Sequence, residues 1–295
     1  MDKLKKFKSS SIFLPLVALA ILVIFNIIFV PGFLDVEITQ DGRLYGRVFD
    51  ILNRSSSLII LSLGMTFVIA TAGIDISVGA VVAISGAVCC RGDGVAEYPM
   101  IVAMIAAVAA GVICGMWNGF LVAKIKIQPM VVTLILMVAG RGIAQLLTEG
   151  QIITVYYAPF SYIGGNIPGN IIPSPIIIAI LMIALVVFIL KKTSLGLFIQ
   201  SVGINPTASR YAGINVALII FLVYAFCAGV SGLIESSLIR AADANNAGLN
   251  MEMDAILAVA LGGTLLSGGK FYIGGSIIGA ITIQTLTTTM YAMGV

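Results

Sequence analysis

The feature that most constrains this chain is a series of apolar runs, each near the roughly 20 residues that carry a helix across hydrocarbon, recurring from about residue 12 to about residue 293. Hydrophobic residues make up 60% of the sequence and charged ones 10%, against the roughly 25% charged of an average soluble domain. The bilayer is therefore the solvent, and the fold class is an all-α polytopic membrane protein in a single domain over 1–295.

We read nine spans, near 12–30, 56–72, 74–90, 99–122, 128–147, 172–190, 216–238, 255–268 and 271–293. The second and third are separated only by Ala72-Gly73-Ile74-Asp75 and read equally well as broken or re-entrant helices. Two loops are long enough for structure of their own. One is 148–171, with Pro159, Pro168 and Gly164-Gly165-Asn166; the other is 191–215, where Asn205 before Pro206 reads as the cap and first turn of a short helix.

With residues 1–11 in the cytoplasm, alternation puts Lys3, Lys5, Lys6, Lys8, Lys124, Lys126, Lys191, Lys192, Arg210 and Lys270 inside. Arg43, Arg47, Arg54, Arg91 and Arg240 fall outside, a ten-to-five bias of the positive-inside kind. The acidic residues, Glu97, Asp243, Glu252 and Asp254 among them, fall mostly in the proposed outer loops. The start imitates a signal peptide, but the apolar run is long, no small-residue cleavage site follows, and further spans come after it.

Several chemistries are excluded by residue type. The chain has no histidine, which removes histidine-based triads, metal sites and proton relays. Cys89, Cys90, Cys114 and Cys227 lie in or beside apolar runs without metal-ligand spacing and are read as packing residues. No phosphate-binding loop occurs, so any ATP must be hydrolysed elsewhere. Leu266-Ser267-Gly268-Gly269-Lys270 imitates an ATPase signature but ends an apolar span without a Walker sequence, and we read the match as coincidental. No catalytic, cofactor or metal residues are expected.

Ionisable and polar groups within spans are the functional candidates, because burying them in hydrocarbon is expensive. Asp75 and Ser77 stand where Gly73 breaks the helix, and either line a cavity or close a turn. Thr133, Met137, Arg141, Gln145 and Thr148 recur every three or four residues and form one polar face. That face either lines an aqueous path or bonds to neighbouring helices and to the Gly140 and Gly142 backbone. Asn118 is helix glue or path lining, and Glu235 near a span end reaches the headgroups or the path. Gly111, Gly115 and Gly119, and Gly275 and Gly279, are small-residue stripes suited to close helix packing, within one subunit or at a dimer seam.

Three strings carry a resemblance: 64–79 (GMTFVIATAGIDISVG), Trp117-Asn118-Gly119, and 254–264 (DAILAVALGGT). They resemble the permease subunits of bacterial ABC importers of the ribose and galactose family, nearly end to end. Gln40-Asp41-Gly42-Arg43-Leu44, Asp50-Ile51-Leu52-Asn53-Arg54, 134–142 (LILMVAGRG) and 242–249 (ADANNAGL) are most similar to the galactofuranose permease subunit. The resemblance implies a cell inner-membrane protein working with an ABC ATPase subunit, an extracytoplasmic sugar-binding protein and a second permease chain, and no nucleic acid. It also implies that Gly203, Asn205, Ala208, Arg210 and Gly213 carry the ATPase-coupling loop. Two departures stand out: Ala72 occupies a position where the family usually has glycine, and the family continues past the level of Val295 with a last helix expected to be lacking here. The leading expectation is ATP-driven alternating access. The competing one is a secondary transporter in which Asp75 or Glu235 couples an ion gradient; an intramembrane enzyme lacks any converging nucleophile, base or metal set.

Overall fold

A computed structural model describes residues 12–38, 44–94, 99–167, 170–226 and 229–294. The N-terminal lysines, Gln40 to Arg43, Glu97, Pro168, Cys227 and Val295 lie outside the described residues. The elements in chain order are α1 (Phe13–Phe29), β1 (Glu37–Ile38), β2 (Leu44–Tyr45), α2 (Arg47–Ala70), α3 (Val78–Gly94) and α4 (Met100–Phe120), which ends in a π turn, Leu121–Ile125. There follow α5 (Pro129–Thr148), β3 (Ile153–Thr154), a short 3₁₀ turn, α6 (Ser161–Gly164), α7 (Ser174–Lys192), α8 (Leu195–Ile204) and α9 (Pro206–Tyr211). The chain closes with α10 (Val216–Ala225), α11 (Gly229–Ile239), β4 (Ala241–Ala242), α12 (Met251–Leu261) and α13 (Ile273–Ala292).

Two helices form the centre. The apolar window of α2 is 83% buried, with α7, α11, α12 and α13 packed around it. Helix α3 is enclosed by α4, α5 and α11. The hydroxyls within these helices, Ser55, Ser56, Ser57, Ser62, Thr66 and Ser85, are buried with them. By contrast α4, α5 and α7 turn apolar faces outward, Ile105, Ile113, Ile135, Val138, Leu181 and Phe188 all being exposed. Leucine and isoleucine outside and serine and threonine inside is the arrangement that lipid rewards.

Four described helices, Arg47–Ala70, Met100–Ile125, Pro129–Thr148 and Ser174–Lys192, are long and apolar enough to cross a membrane, and shorter apolar helices accompany them. The structure corrects several span boundaries. Helix α2 begins at Arg47, well before residue 56, and is separate from α3. The run at 216–238 is two short helices, because Phe226 turns extended (φ −70°, ψ 100°) after α10. The run at 255–268 is helical only to Leu261, as the latter part of the 11-residue α12, which is about 16 Å long and half of what a crossing needs. The rest of that passage is the irregular segment 243–250, which runs inward from β4 until Gly248 meets Gly79 at the start of α3.

Glu252 and Asp254 are therefore not in an outer loop. They occupy the first turn of α12, where the partial positive charge of a helix N-terminus takes carboxylates, and a Cβ at Gly79 would collide with Glu252 Oε2. The glycine stripes serve packing inside this chain. A Cβ at Gly115 would strike the Tyr224 carbonyl on α10, and one at Gly279 the Ala258 carbonyl on α12. Asn26 on α1 and Thr289 on α13 exchange hydrogen bonds of 2.7 and 3.0 Å across a buried contact.

The two ends of the bundle differ in charge. Lys124, Lys126, Lys191, Lys192, Arg210 and Lys270 gather at the end carrying α8 and α9, whereas Arg47, Arg54, Arg91 and Arg240 lie at the opposite end with the β3–β4 ribbon. Cys89 and Cys90 are buried at that ribbon end, packed with Val155, Phe160 and Leu233.

Ala72 explains itself at the end of α2. Its N–H donates to Ile69 O (2.9 Å) and that of Gly73 to Val68 O (3.0 Å), closing the helix in a Schellman motif with Ala72 left-handed at φ 60°. A Cβ in that region costs roughly 1–2 kcal/mol, partly offset by the entropy that glycine loses on folding. Ala72→Gly should stabilise the chain by about 0.5–1 kcal/mol, read as a higher unfolding midpoint in detergent; an unchanged or lower midpoint would contradict this account.

Candidate functional site

Helix α3 starts inside the protein, so its first N–H groups need partners that water cannot supply. Asp75 supplies one. It is 6% exposed, and its Oδ1 accepts from the Ser77 backbone N–H (2.8 Å) and from Ser77 Oγ (2.6 Å). Ser77 Oγ in turn accepts from Asn118 Nδ2 on α4 (2.9 Å). Thr133 on α5 reaches the carbonyl of Ile74 at 3.4 Å. The hydroxyl of Tyr224 on α10 belongs to the same group, lying where a Cβ on Gly73 would come within 2.6 Å of it. The break is thus bonded to α4 through Ser77 and Asn118 and to α5 through Ile74 and Thr133, with Tyr224 of α10 packed beside it.

A second polar cluster holds the irregular segment 243–250. Arg141 Nη1 donates to the carbonyls of Ala244 (3.3 Å) and Ala247, and Gln145 Nε2 donates to Asn245 Oδ1 at 2.7 Å. Glu235 on α11 accepts from the Gly248 N–H at 3.3 Å. Inside the segment, Asp243 accepts from the backbone of Asn245 and Asn246 and from the Asn246 side chain, an Asx turn. The carboxyl groups of Glu235, Asp243 and Glu252 lie in the neighbourhood of Arg141. These side chains give a partly buried, non-helical stretch, with Ala244, Ala247 and Gly248 inside, partners for its backbone.

At the other end of the bundle α9 stands out from the body. Asn205 Oδ1 accepts from the Ala208 N–H at 2.9 Å and Pro206 takes the first helical position. Ala208, Arg210 and Gly213 are exposed, and Tyr211 is 90% exposed. Gly203 faces the Ala70 carbonyl so closely that a Cβ there would collide with it. Arg210 and Gly213 border a groove of about 410 Å³ that they share with Lys124 and Lys126.

The sequence-derived candidates thus separate into three places. Asp75, Ser77, Asn118 and Thr133 converge on the helix break. Arg141 and Gln145 instead grip 244–247 and do not bond to the Gly140 and Gly142 backbone, so the polar face of α5 serves two sites. At Gly140 the backbone approaches Ala80 of α3. Glu235 does not reach for headgroups; it turns inward to Gly248. Tyr224 went unnoticed in the sequence because it sits in a nearly unbroken apolar run. Its spacing from Gly115 and Gly119 on the facing helix exists only in three dimensions. Gly268 and Gly269, the glycines of the ATPase-like string, have positive φ and form a turn in which the Gly269 N–H donates to Ala70 O at 2.8 Å. They are there for backbone geometry.

A family model described as branched-chain amino acid transport system / permease component matches residues 47–295. The chain belongs to that family. It is 47% identical over 284 residues to the galactofuranose transporter permease protein YtfT of Escherichia coli K12, covering 95% of this chain and 82% of that one. It is 38% identical over 305 residues to the fructose import permease protein FruF of Bifidobacterium longum (99% and 83%). The ribose import permease protein RbsC of E. coli K12 is 37% identical over 256 residues (84% and 79%). No solved structure matches it. The chain is a multi-pass membrane permease and not an enzyme. The gradient-driven alternative for Asp75 and Glu235 is set aside: relatives across the chain are import permeases.

Hydrogen bonds from a charged donor are worth roughly 1.5–3 kcal/mol. Arg141→Met should therefore let 243–250 open more often and raise thiol labelling of an Ala247→Cys reporter by about tenfold or more, each 1.4 kcal/mol being a factor of ten. Equal labelling with and without Arg141 would show that the segment is held by other contacts.

Proposed function

We propose that this chain is the membrane-spanning subunit of an ATP-driven importer that carries a monosaccharide, galactofuranose or a related sugar, with ATP hydrolysed by a separate ABC ATPase subunit. The 47% identity over 95% of the chain to a galactofuranose permease carries this reading. The sugar relatives argue for a sugar cargo in spite of the amino-acid wording of the family description. The whole of 1–295 acts as one permease domain in the cell inner membrane, with 1–11 and 191–215 cytoplasmic and 148–171 outside. Its lysine-rich end then faces the cytoplasm, in keeping with the positive-inside bias.

In this reading the chain crosses nine times. Two crossings are broken: α10 with α11, and the 243–250 segment with α12. An extracytoplasmic sugar-binding protein delivers the cargo, and a second permease chain completes the path. The coupling loop is Gly203, Asn205, Ala208, Arg210 and Gly213. Support comes from the exposure of α9, its rigid Asn205 cap and its basic neighbours Lys124 and Lys126. Asp75, Ser77, Asn118, Thr133, Arg141 and Gln145 act at helix breaks that shape the path more than as direct sugar ligands.

The test is co-purification of the tagged chain with its co-expressed gene neighbours, followed by ATP hydrolysis stimulated by the binding protein across furanose and pyranose sugars. Stimulation by galactofuranose or a related furanose is expected; a chain that inserts but recruits no ATPase would refute the proposal. Within that complex Arg210→Glu should cut stimulated hydrolysis by about tenfold, the scale of one interfacial charge pair near 1.4 kcal/mol, with insertion intact. Unchanged stimulation would remove Arg210 from the docking surface.

A further inference from the structure

The cluster at the α2–α3 break has two polar atoms that the protein's own hydrogen bonds leave open. Ser77 Oγ spends its single proton on Asp75 Oδ1, so toward Asn118 it can only accept. That fixes the amide of Asn118: Nδ2 faces Ser77, and Oδ1 faces away. Asn118 is 0% exposed, and its Oδ1 has no partner among the described residues. The Tyr224 hydroxyl, on a side chain 2% exposed, likewise has none.

Asn118 and Tyr224 border one cavity of about 20 Å³, together with Asp75, Ser77, Gly111 and Gly115. The volume suits a single water, which needs about 10–15 Å³ and two to four polar partners. A sugar hydroxyl could enter only with its ring, for which there is no room. An alkali cation would be drawn by Asp75 against the positive end of α3, but Asp75, Ser77, Asn118 and Tyr224 are the oxygen-bearing side chains that line the cavity, fewer than the six or more oxygens a hard cation gathers. A water meets no such requirement, and its two protons and two lone pairs match an amide oxygen, a carboxylate and a phenol.

We propose that this cavity holds one structural water, donating to Asn118 Oδ1 and to the Asp75 carboxylate and accepting from the Tyr224 hydroxyl. The water joins α10 to the break before α3. Helix α10 begins four residues after the exposed α9, beyond the turn at Gly213, its own cap being Asn215, whose Oδ1 accepts from the Leu218 N–H at 3.0 Å. Tyr224 lies eight residues into α10, about 12 Å along the axis from its first residue. A push on α9 therefore reaches Asp75 through Tyr224 and the water. This linkage rests on the docking role proposed for α9; the water site does not.

Radiolytic labelling of the full chain in lipid nanodiscs, in ¹⁸O water, tests the site without partners. Tyr224 should take up label, with slower solvent exchange than the exposed Tyr211. Asn118→Leu, which fills the cavity and removes an acceptor, should cut labelling at Tyr224 several-fold and leave Tyr211 unchanged. Absence of label at Tyr224 in the wild type would overturn the proposal. If Asn118→Leu does not fold, a wild-type map that resolves waters decides it: a density at hydrogen-bond distance from Asn118 Oδ1 and the Tyr224 hydroxyl supports the site. An empty cavity, or a density at metal-oxygen distances, overturns it. In the complex, Tyr224→Phe should lower sugar moved per ATP several-fold while ATP hydrolysis persists; an unchanged ratio would overturn the linkage. Failure to recruit an ATPase would instead refute the function proposed above and leave the labelling test standing.

Discussion

The fold depends on satisfying backbone groups where helices break inside an apolar bundle. In hydrocarbon a free N–H or carbonyl costs several kcal/mol, so each break must bring its own partners. Asp75 does this for α3 by accepting from the Ser77 backbone and hydroxyl, and the negative charge suits the helix N-terminus beside it. Without that arrangement α3, enclosed by α4, α5 and α11, would begin with unpaired donors at the centre of the molecule.

The same constraint governs 243–250. That segment enters the protein without a helix of its own, and Arg141, Gln145 and Glu235 reach it from two helices to pair its carbonyls, an amide and an N–H. Three charged or strongly polar residues that would be costly facing lipid become the means of keeping irregular backbone within the bundle. Close helix contact is the complement of these bonds. Gly115 against α10 and Gly279 against α12 let backbones approach until no side chain fits between them, which gains dispersion energy where no hydrophobic effect operates.

In the importer reading proposed above the chain has to change shape, and breaks of this kind are where it would do so. A continuous helix moves as a rod, whereas α10 with α11 and the 243–250 segment with α12 have joints in mid-course. Both joints contact the centre: Phe226 packs edge-on against Phe67 of α2 at 5.7 Å, and Gly248 lies on Gly79 of α3. The exposed α9 is joined to the first of them through a single short helix.

The sequence by itself determined the solvent, the number and rough position of the apolar runs, the sorting of basic residues, the capped helix at Asn205 and the membership of a permease family. These are local properties, set by composition, by spacing along one helix or by a cap three residues from its target. Only the tertiary structure decided that the runs at 216–238 and 255–268 are interrupted, that Glu252 and Asp254 sit in the first turn of α12 and not in a loop, and that the polar face of α5 is shared between two clusters. Hydropathy cannot distinguish a whole span from two halves, because both are apolar. Which side chain meets an open backbone group depends on residues more than a hundred positions apart, as Arg141 and Ala247 are. Tyr224 shows the limit most plainly: nothing beside it in sequence is polar, and its polar neighbours Asp75, Ser77 and Asn118 are brought near it only by the packing of α3, α4 and α10.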